Sequence, residues 1–193
     1  MMVGSEWSLS QAARLLRQPQ HRLIYLCEKG VIVPDLEDAK GRGSSRRFSA
    51  RNLLEFAVAL RLRDLTIPVG PVAAIIHTLR AFEAQVSREI PRFKLVQNLR
   101  EKVAPDLRII VRDGERLYFS LGVGSSPPKV YGGLDFQTLS PSKPVKLKLV
   151  EAEQVNAEAP QIRIGGFGRP EGSRHARIEV SVTGIAKDLP LHG

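Results

Sequence analysis

Apolar positions recur at helical spacing through the first hundred residues and switch to alternation beyond Pro105. Leu9, Ala12, Ala13 and Leu16 fall on one face of a short helix predicted over residues 7–16. Ser8 or Ser10 can cap its free N–H groups, and Ser8 with Gln11 has the spacing of a capping box. Two small alanines at its centre let a second helix cross closely. Arg17-Gln18 then forms a turn, and Pro19 suits the first position of a second helix that runs to about Lys29 and stops at Gly30. In that helix Leu23, Leu26 and Cys27 form the apolar side. His21, Arg22, Tyr25 and Lys29 share the other, with Gln20 beside them at the start.

Ser49 is the expected N-cap of a third helix from Ala50 to about Leu65, with Leu53, Phe56, Ala57 and Leu60 on one face. Ile67-Pro68-Val69-Gly70-Pro71 breaks the pattern. An apolar stripe then occupies positions 72, 75, 76, 79, 82, 86 and 90, and Phe93, Val96, Leu99 and Val103 continue it beyond Pro91. Such a stripe packs either on the chain's own core or on a second copy of the chain.

Further on, residues 107–112 and 116–121 alternate around Asp113-Gly114-Glu115, a hairpin signal. Residues 122–142 are rich in Gly, Pro and Ser, which predicts a long loop. Lys146 to Leu149, Ile162 with Ile164, and Arg177 to Val182 predict further strands, for a sheet of four or five in all.

Between the second and third helices the pattern changes character. Val31-Ile32-Val33 is β-branched and ends at Pro34, and residues 35–39 turn away. Lys40-Gly41-Arg42-Gly43-Ser44-Ser45-Arg46-Arg47 returns, with glycines able to supply the positive φ of a ribbon tip. Phe48 then offers an aromatic anchor to the core. Four cations in eight residues beside a polar helix face can neutralise phosphates and release counterions. This order predicts a helix-turn-helix followed by a β-ribbon wing, a module that sets one helix in a DNA groove and a charged ribbon on the flanking backbone. The expected fold class is α+β. It comprises a winged helix-turn-helix domain of about four helices over residues 1–70, a helical linker and dimerisation segment over 71–104, and a small antiparallel β domain over 105–193.

Charge sharpens this reading. The chain carries a formal net charge of +9, which favours a polyanionic partner. Residues 1–104 hold 17 Lys/Arg against 10 Asp/Glu, and residues 105–193 hold 12 against 10, so the excess sits with the helices. No long uninterrupted apolar run or secretory pattern is present, and a cytoplasmic protein with no membrane partner is expected. A single cysteine, Cys27, excludes an intramolecular disulfide and a multi-cysteine metal cage.

Residues 7–80 resemble the MerR family of winged-helix regulators. The resemblance rests on Ser8-Leu9-Ser10-Gln11-Ala12-Ala13, on Tyr25 before Gly30-Val31-Ile32-Val33-Pro34, and on Arg46-Arg47-Phe48-Ser49. It implies Tyr25 and Arg46 at the DNA backbone, a two-fold dimer on an inverted repeat, and promoter control that includes DNA distortion. Two departures stand out. Ile24 occupies the place where the family has arginine, with Arg22 the nearest exposed cation, and the paired cysteines of thiolate metal sensors are missing.

The function expected is that of a homodimeric, sequence-specific double-stranded DNA-binding transcriptional regulator. Gln20, His21, Arg22 and Tyr25 are expected at the major groove and adjacent phosphates; Lys40, Arg42, Arg46 and Arg47 are expected on the backbone. The dimer contact falls in either 72–90 or 91–104.

The β-rich half shows no legible chemistry. Gly165-Gly166-Phe167-Gly168-Arg169 lacks the Lys-Ser/Thr pair of a phosphate loop and reads as a hairpin turn. His21, His77, His175 and His192 have no metal-ligand spacing. Neither catalysis nor a cofactor is expected. Three alternatives stay open: a DNA-bound antitoxin or accessory factor whose C-terminal domain holds a protein partner or small ligand, a C-terminal half that is itself a small-molecule sensor or an enzyme, and a structural role in which the winged helix meets only protein.

Overall fold

In the computed structural model, residues 6–36, 46–135, 139, 145–151, 155 and 177–191 are described. The chain opens with a two-residue strand β1 (Trp7–Ser8), helix α1 (Leu9–Leu15) and helix α2 (Gln20–Glu28). Strand β2 (Arg47–Phe48), helices α3 (Ala50–Asp64), α4 (Val69–Glu89) and α5 (Leu95–Leu99) follow. Strands β3 (Asp106–Arg112), β4 (Arg116–Gly122), β5 (Lys129–Asp135), β6 (Lys148–Val150) and β7 (Arg177–Ser181) come next, and helix α6 (Val182–Asp188) closes the described chain. The result is a mixed α+β fold with two antiparallel sheets.

Local chemistry sets the element ends. Ser8 caps α1 as expected: its hydroxyl accepts from the Gln11 N–H at 3.3 Å, and the Gln11 side chain accepts from the Ser8 N–H at 2.8 Å. Arg17, at φ 52°, turns the chain into α2. Gly30, at φ 66°, ends α2 with its N–H on the Cys27 carbonyl and the Val31 N–H on Leu26, a Schellman closure that a left-handed residue makes possible. Asp113 and Gly114 both take positive φ in the three-residue β3–β4 turn, which the Glu115 N–H closes on the Arg112 carbonyl.

The larger sheet has the order β6-β5-β4-β3-β7. Its inner face presents Leu107, Ile109, Val111, Leu117, Phe119, Leu121 and Tyr131 to the helices. Phe82 of α4 stacks on Phe119 with centroids 5.1 Å apart and meets Tyr131 edge-on at 5.5 Å. Gln85 donates to the Leu147 carbonyl, and the Tyr131 hydroxyl donates to Glu89 at 3.0 Å, so α4 is fastened along the sheet. α6 packs on β3, α3 and α5. Thr183 binds the chain at the start of β3, accepting from the Leu107 N–H and donating to the Pro105 carbonyl. One apolar core runs from Ala12 to Leu191 and draws on the helices and on β3, β4, β5 and β7. A smaller cluster of Ile110, Tyr118, Val130 and Val155 lies on the sheet's opposite face.

Several expectations need correction. Trp7 and Ser8 form a strand rather than the first turn of α1, and they pair with Phe48 and Arg47. Val31 to Val33 form no strand; Val31 and Ile32 are buried, and the Val33 carbonyl accepts from Asn52 and Arg80. The loop expected over 122–142 contains strand β5, because Gly132 and Gly133 form a bulge opposite Leu117 and Tyr118 instead of ending the pairing. Alternation at 177–182 gives way at Ser181, whose hydroxyl accepts from the Gly184 N–H and starts α6.

The stripe on α4 is buried at Val72, Ile75, Ile76, Leu79, Phe82 and Val86 within this chain, and Ile90 alone of its positions is exposed. The stripe therefore serves the chain's own core. The strand expected at Ile162 and Ile164, the Gly165–Arg169 turn, Lys40 and Arg42 lie outside the described residues. Among the described residues, no helix is long and apolar enough to cross a membrane.

Candidate nucleic-acid interface

Helix α2 separates its faces by its own sequence period. Leu23 and Leu26 point into the core, where Ala12 and Ala13 of α1 are also buried. Gln20, His21, Tyr25, Glu28 and Lys29 are exposed, and the Lys29 ammonium stands 5.8 Å from the centre of the Tyr25 ring. Tyr25 keeps 39% of its surface in solvent.

Arg22 departs from the expected free cation. One guanidinium arm donates to the side-chain oxygen of Gln18 at 2.6 Å, and the other pairs with Asp64 at the end of α3 at 2.8 Å. His21, Arg22, Tyr25, Leu26, Leu60 and Arg63 line a groove of about 280 Å³ along this face. Arg14 and Arg17 are exposed on the neighbouring α1 and its turn, which adds cations that the sequence pattern did not single out.

Beyond α2, a buried polar network fixes the two chain ends that flank residues 37–45. Asn52, in the first turn of α3, uses its whole amide. Its oxygen accepts from the Asp35 N–H at 2.9 Å and the Ser49 N–H at 3.3 Å. Its nitrogen donates to the Val33 carbonyl at 3.0 Å and to Glu55 at 3.1 Å. The reverse amide orientation would set an NH₂ group against two N–H donors, so the network selects one orientation. The Ser49 hydroxyl donates to Asp35 at 2.8 Å, which ties the exit from α2 directly to the end of β2. From α4, Arg80 grips both oxygens of Glu55 at 2.6 Å and also donates to the Val33 carbonyl at 2.9 Å. Asp35 lies 3.3 Å from the same guanidinium.

Glu55 is 1% exposed, so its charge depends on this pairing. Burial pushes its carboxyl above the usual range, against the pull of Arg80. Burial works in the opposite sense on Arg80, but the hydrogen bonds and charges of Glu55 and Asp35 outweigh it and hold the guanidinium protonated. A second buried carboxylate, Glu83, joins Arg51 of α3 to the Leu95 N–H of α5.

Of the residues singled out from the sequence, α2 brings Gln20, His21 and Tyr25 onto one exposed surface, with Arg22 tethered at its edge. Arg46 and Arg47 are half-buried on and beside β2, with Arg47 opposite Ser8 in the small sheet. Sequence reasoning missed Asp35, Asn52, Glu55 and Arg80. The available signal was Asn52, three residues after a capping serine, with Glu55 following it at i+3. Comparison with family models and with curated proteins finds no match for this chain, so the MerR resemblance stands on the residues themselves.

Proposed function

We propose that this chain binds double-stranded DNA as a sequence-specific transcriptional regulator, with α1 and α2 acting as a helix-turn-helix and the segment from Asp35 to Phe48 as its wing. In this reading Gln20, His21 and Tyr25 approach the major groove and adjacent phosphates, and Arg22 joins them on leaving Asp64. Arg46 and Arg47, with Lys40 and Arg42 of the intervening sequence, neutralise the backbone beside it. One observation carries the reading: a helix with an exposed polar, partly aromatic face leads within seven residues into a closed neck from which a cation-rich segment departs. The excess of positive charge in the same half of the chain supports it.

As a two-fold dimer, each copy would take one half-site of an inverted repeat. The dimer interface belongs outside positions 72–86, because those side chains already pack within this chain.

Selection of bound duplexes from a random pool tests the proposal: a recovered palindrome is expected. Replacing Arg46 and Arg47 with Ala should lower the slope of log affinity against log salt by roughly 0.9 for each phosphate that is no longer neutralised. A chain that binds no duplex at low salt, or a slope unmoved by the double replacement, would refute it.

A further inference from the structure

We infer that Arg80 is a positioning residue for the proposed DNA interface: it fixes where Arg46 and Arg47 stand relative to the polar face of α2. The inference rests on the DNA-binding reading and adds to it a residue that lies on a different helix and need not touch the duplex.

Three observations lead there. Arg80 closes the neck from outside, since its guanidinium reaches Glu55 of α3 with two hydrogen bonds and the Val33 carbonyl with a third. Val33 and Asp35 are the exit from α2, and Asp35 is held in turn by Ser49, immediately after β2. Asn52 and the Ser49–Asp35 bond join the exit of α2 to the end of β2, and Arg80 braces that junction from a third helix. Finally, α4 cannot yield easily. Phe82, Gln85 and Glu89 fasten the same helix to the sheet, so Arg80 presents its guanidinium from a fixed support.

The charges around Arg80 suit that task. Glu55 and Asp35 face it directly, and Glu83 contributes from its own helix. Pull on Arg46 and Arg47 by phosphates would be carried through Ser49 and Asp35 into this network. A lysine at position 80 would keep the positive charge beside Glu55. Its single ammonium could not hold both Glu55 oxygens in a fork and reach Val33 as well.

The test compares the full chain with its Arg80→Lys and Arg80→Met forms. On a selected duplex, both variants should show a salt slope reduced by roughly 1–2 units, as Arg46, Arg47 or both move out of reach of their phosphates. The preferred base sequence should stay the same, because α2 keeps its own packing. A variant that is merely less stable would lower the active fraction at every salt concentration and leave the slope unchanged.

Hydrogen exchange provides a reading that needs no DNA. The Asp35 and Ser49 amides, both donors to Asn52, should exchange about tenfold faster in Arg80→Lys as the neck opens locally. If Arg80→Met does not fold, Arg80→Lys decides. An unchanged salt slope, or unchanged exchange at both amides in folded Arg80→Lys, overturns the inference. If the wild-type chain binds no duplex, the DNA reading fails by itself, and the exchange measurement still decides whether Arg80 holds the neck.

Discussion

Arg22 offers the sharpest separation between a residue that holds the fold and one that reads DNA. In the free protein its guanidinium is shared between Gln18 and Asp64. The Arg22 and Asp64 side chains keep 35% and 49% of their surface exposed. Water and salt screen such a pair, so its contribution to stability is about 0.2–1 kcal/mol. Asp64→Asn and Arg22→Ala should each lower the unfolding midpoint by only a few degrees, about 2–4 °C per kcal/mol at this chain length.

Binding should respond differently. A guanidinium that leaves Asp64 for a guanine edge gains about 1–3 kcal/mol, or roughly 5- to 150-fold in affinity, less what it gives up in the free state. Arg22→Ala should therefore weaken a selected duplex by about tenfold or more, well beyond its effect on folding. Asp64→Asn should tighten the same duplex, because it releases one guanidinium arm and removes a carboxylate from the approach of the phosphates. The double variant decides which effect dominates: tightening that disappears when Arg22 is Ala belongs to the released arm, and tightening that persists belongs to the field. Fluorescence anisotropy at one fixed salt concentration, with thermal unfolding by circular dichroism in the same buffer, gives both numbers. Weaker binding by Asp64→Asn, or an Arg22→Ala loss no larger than its stability cost, would refute the reasoning.

Three further outcomes follow from the core and the sheet. Phe82→Ala removes a fully buried ring that contacts both Phe119 and Tyr131, and should destabilise the fold by about 3–5 kcal/mol in denaturant unfolding; a loss below about 1 kcal/mol would mean that α4 does not cover the sheet. Gly132 sits at φ 137°, where an added Cβ would lie 2.5 Å from the Leu117 carbonyl oxygen, whereas one at Gly133 meets nothing closer than 3.8 Å. Gly132→Ala should therefore cost several times more than Gly133→Ala, whose penalty is about 1 kcal/mol of left-handed strain, and equal costs would contradict the bulge. Burial, reinforced by Glu89, pushes the Tyr131 phenol up to about 12 from an ordinary value of 10.0. The folded state retains that proton longer than the unfolded chain. The stability gained is thus complete below about pH 10 and falls as the pH rises toward about 12. An ultraviolet titration should show a late tyrosine ionisation, and Tyr131→Phe should remove that late step.

The helices were legible because each carries its own punctuation. Ser8 with Gln11, Ser49 and Gly30 mark ends that the backbone then adopts, and the hairpin at Asp113-Gly114 follows from residues that accept positive φ. Strand β5 was hidden by the same glycines that form its bulge, since Gly-Gly within a segment rich in Pro and Ser looks like a loop until a neighbouring strand supplies the pairing. Helix α6 was hidden because its seven residues follow directly on an alternating strand. The neck was hidden for another reason. Asn52 and Glu55 lie off the face of Leu53, Phe56, Ala57 and Leu60, so periodicity gives no reason to bury them, and their partners Asp35 and Arg80 stand 17 and 25 residues away in sequence.

Periodicity reports that a face is buried and does not say what buries it. The stripe on α4 suited a second copy of the chain as well as it suited the sheet. The sheet decides between them: Phe119 and Tyr131 meet Phe82 at ring-contact distance, and the polar side chains Gln85 and Glu89 have hydrogen-bond partners on the sheet side. A helix so fastened transmits position. Arg80 lies within a turn of Phe82 on that helix and ends in the neck beside α2. On the inference that Arg80 positions the neck, the proposed reading surface takes its geometry from a β-sheet that need not itself touch DNA, a physical role for the C-terminal half that assigns it no chemistry. It also means that variants of the sheet should alter DNA binding through the salt slope when they shift α4, and through the folded fraction alone when they do not.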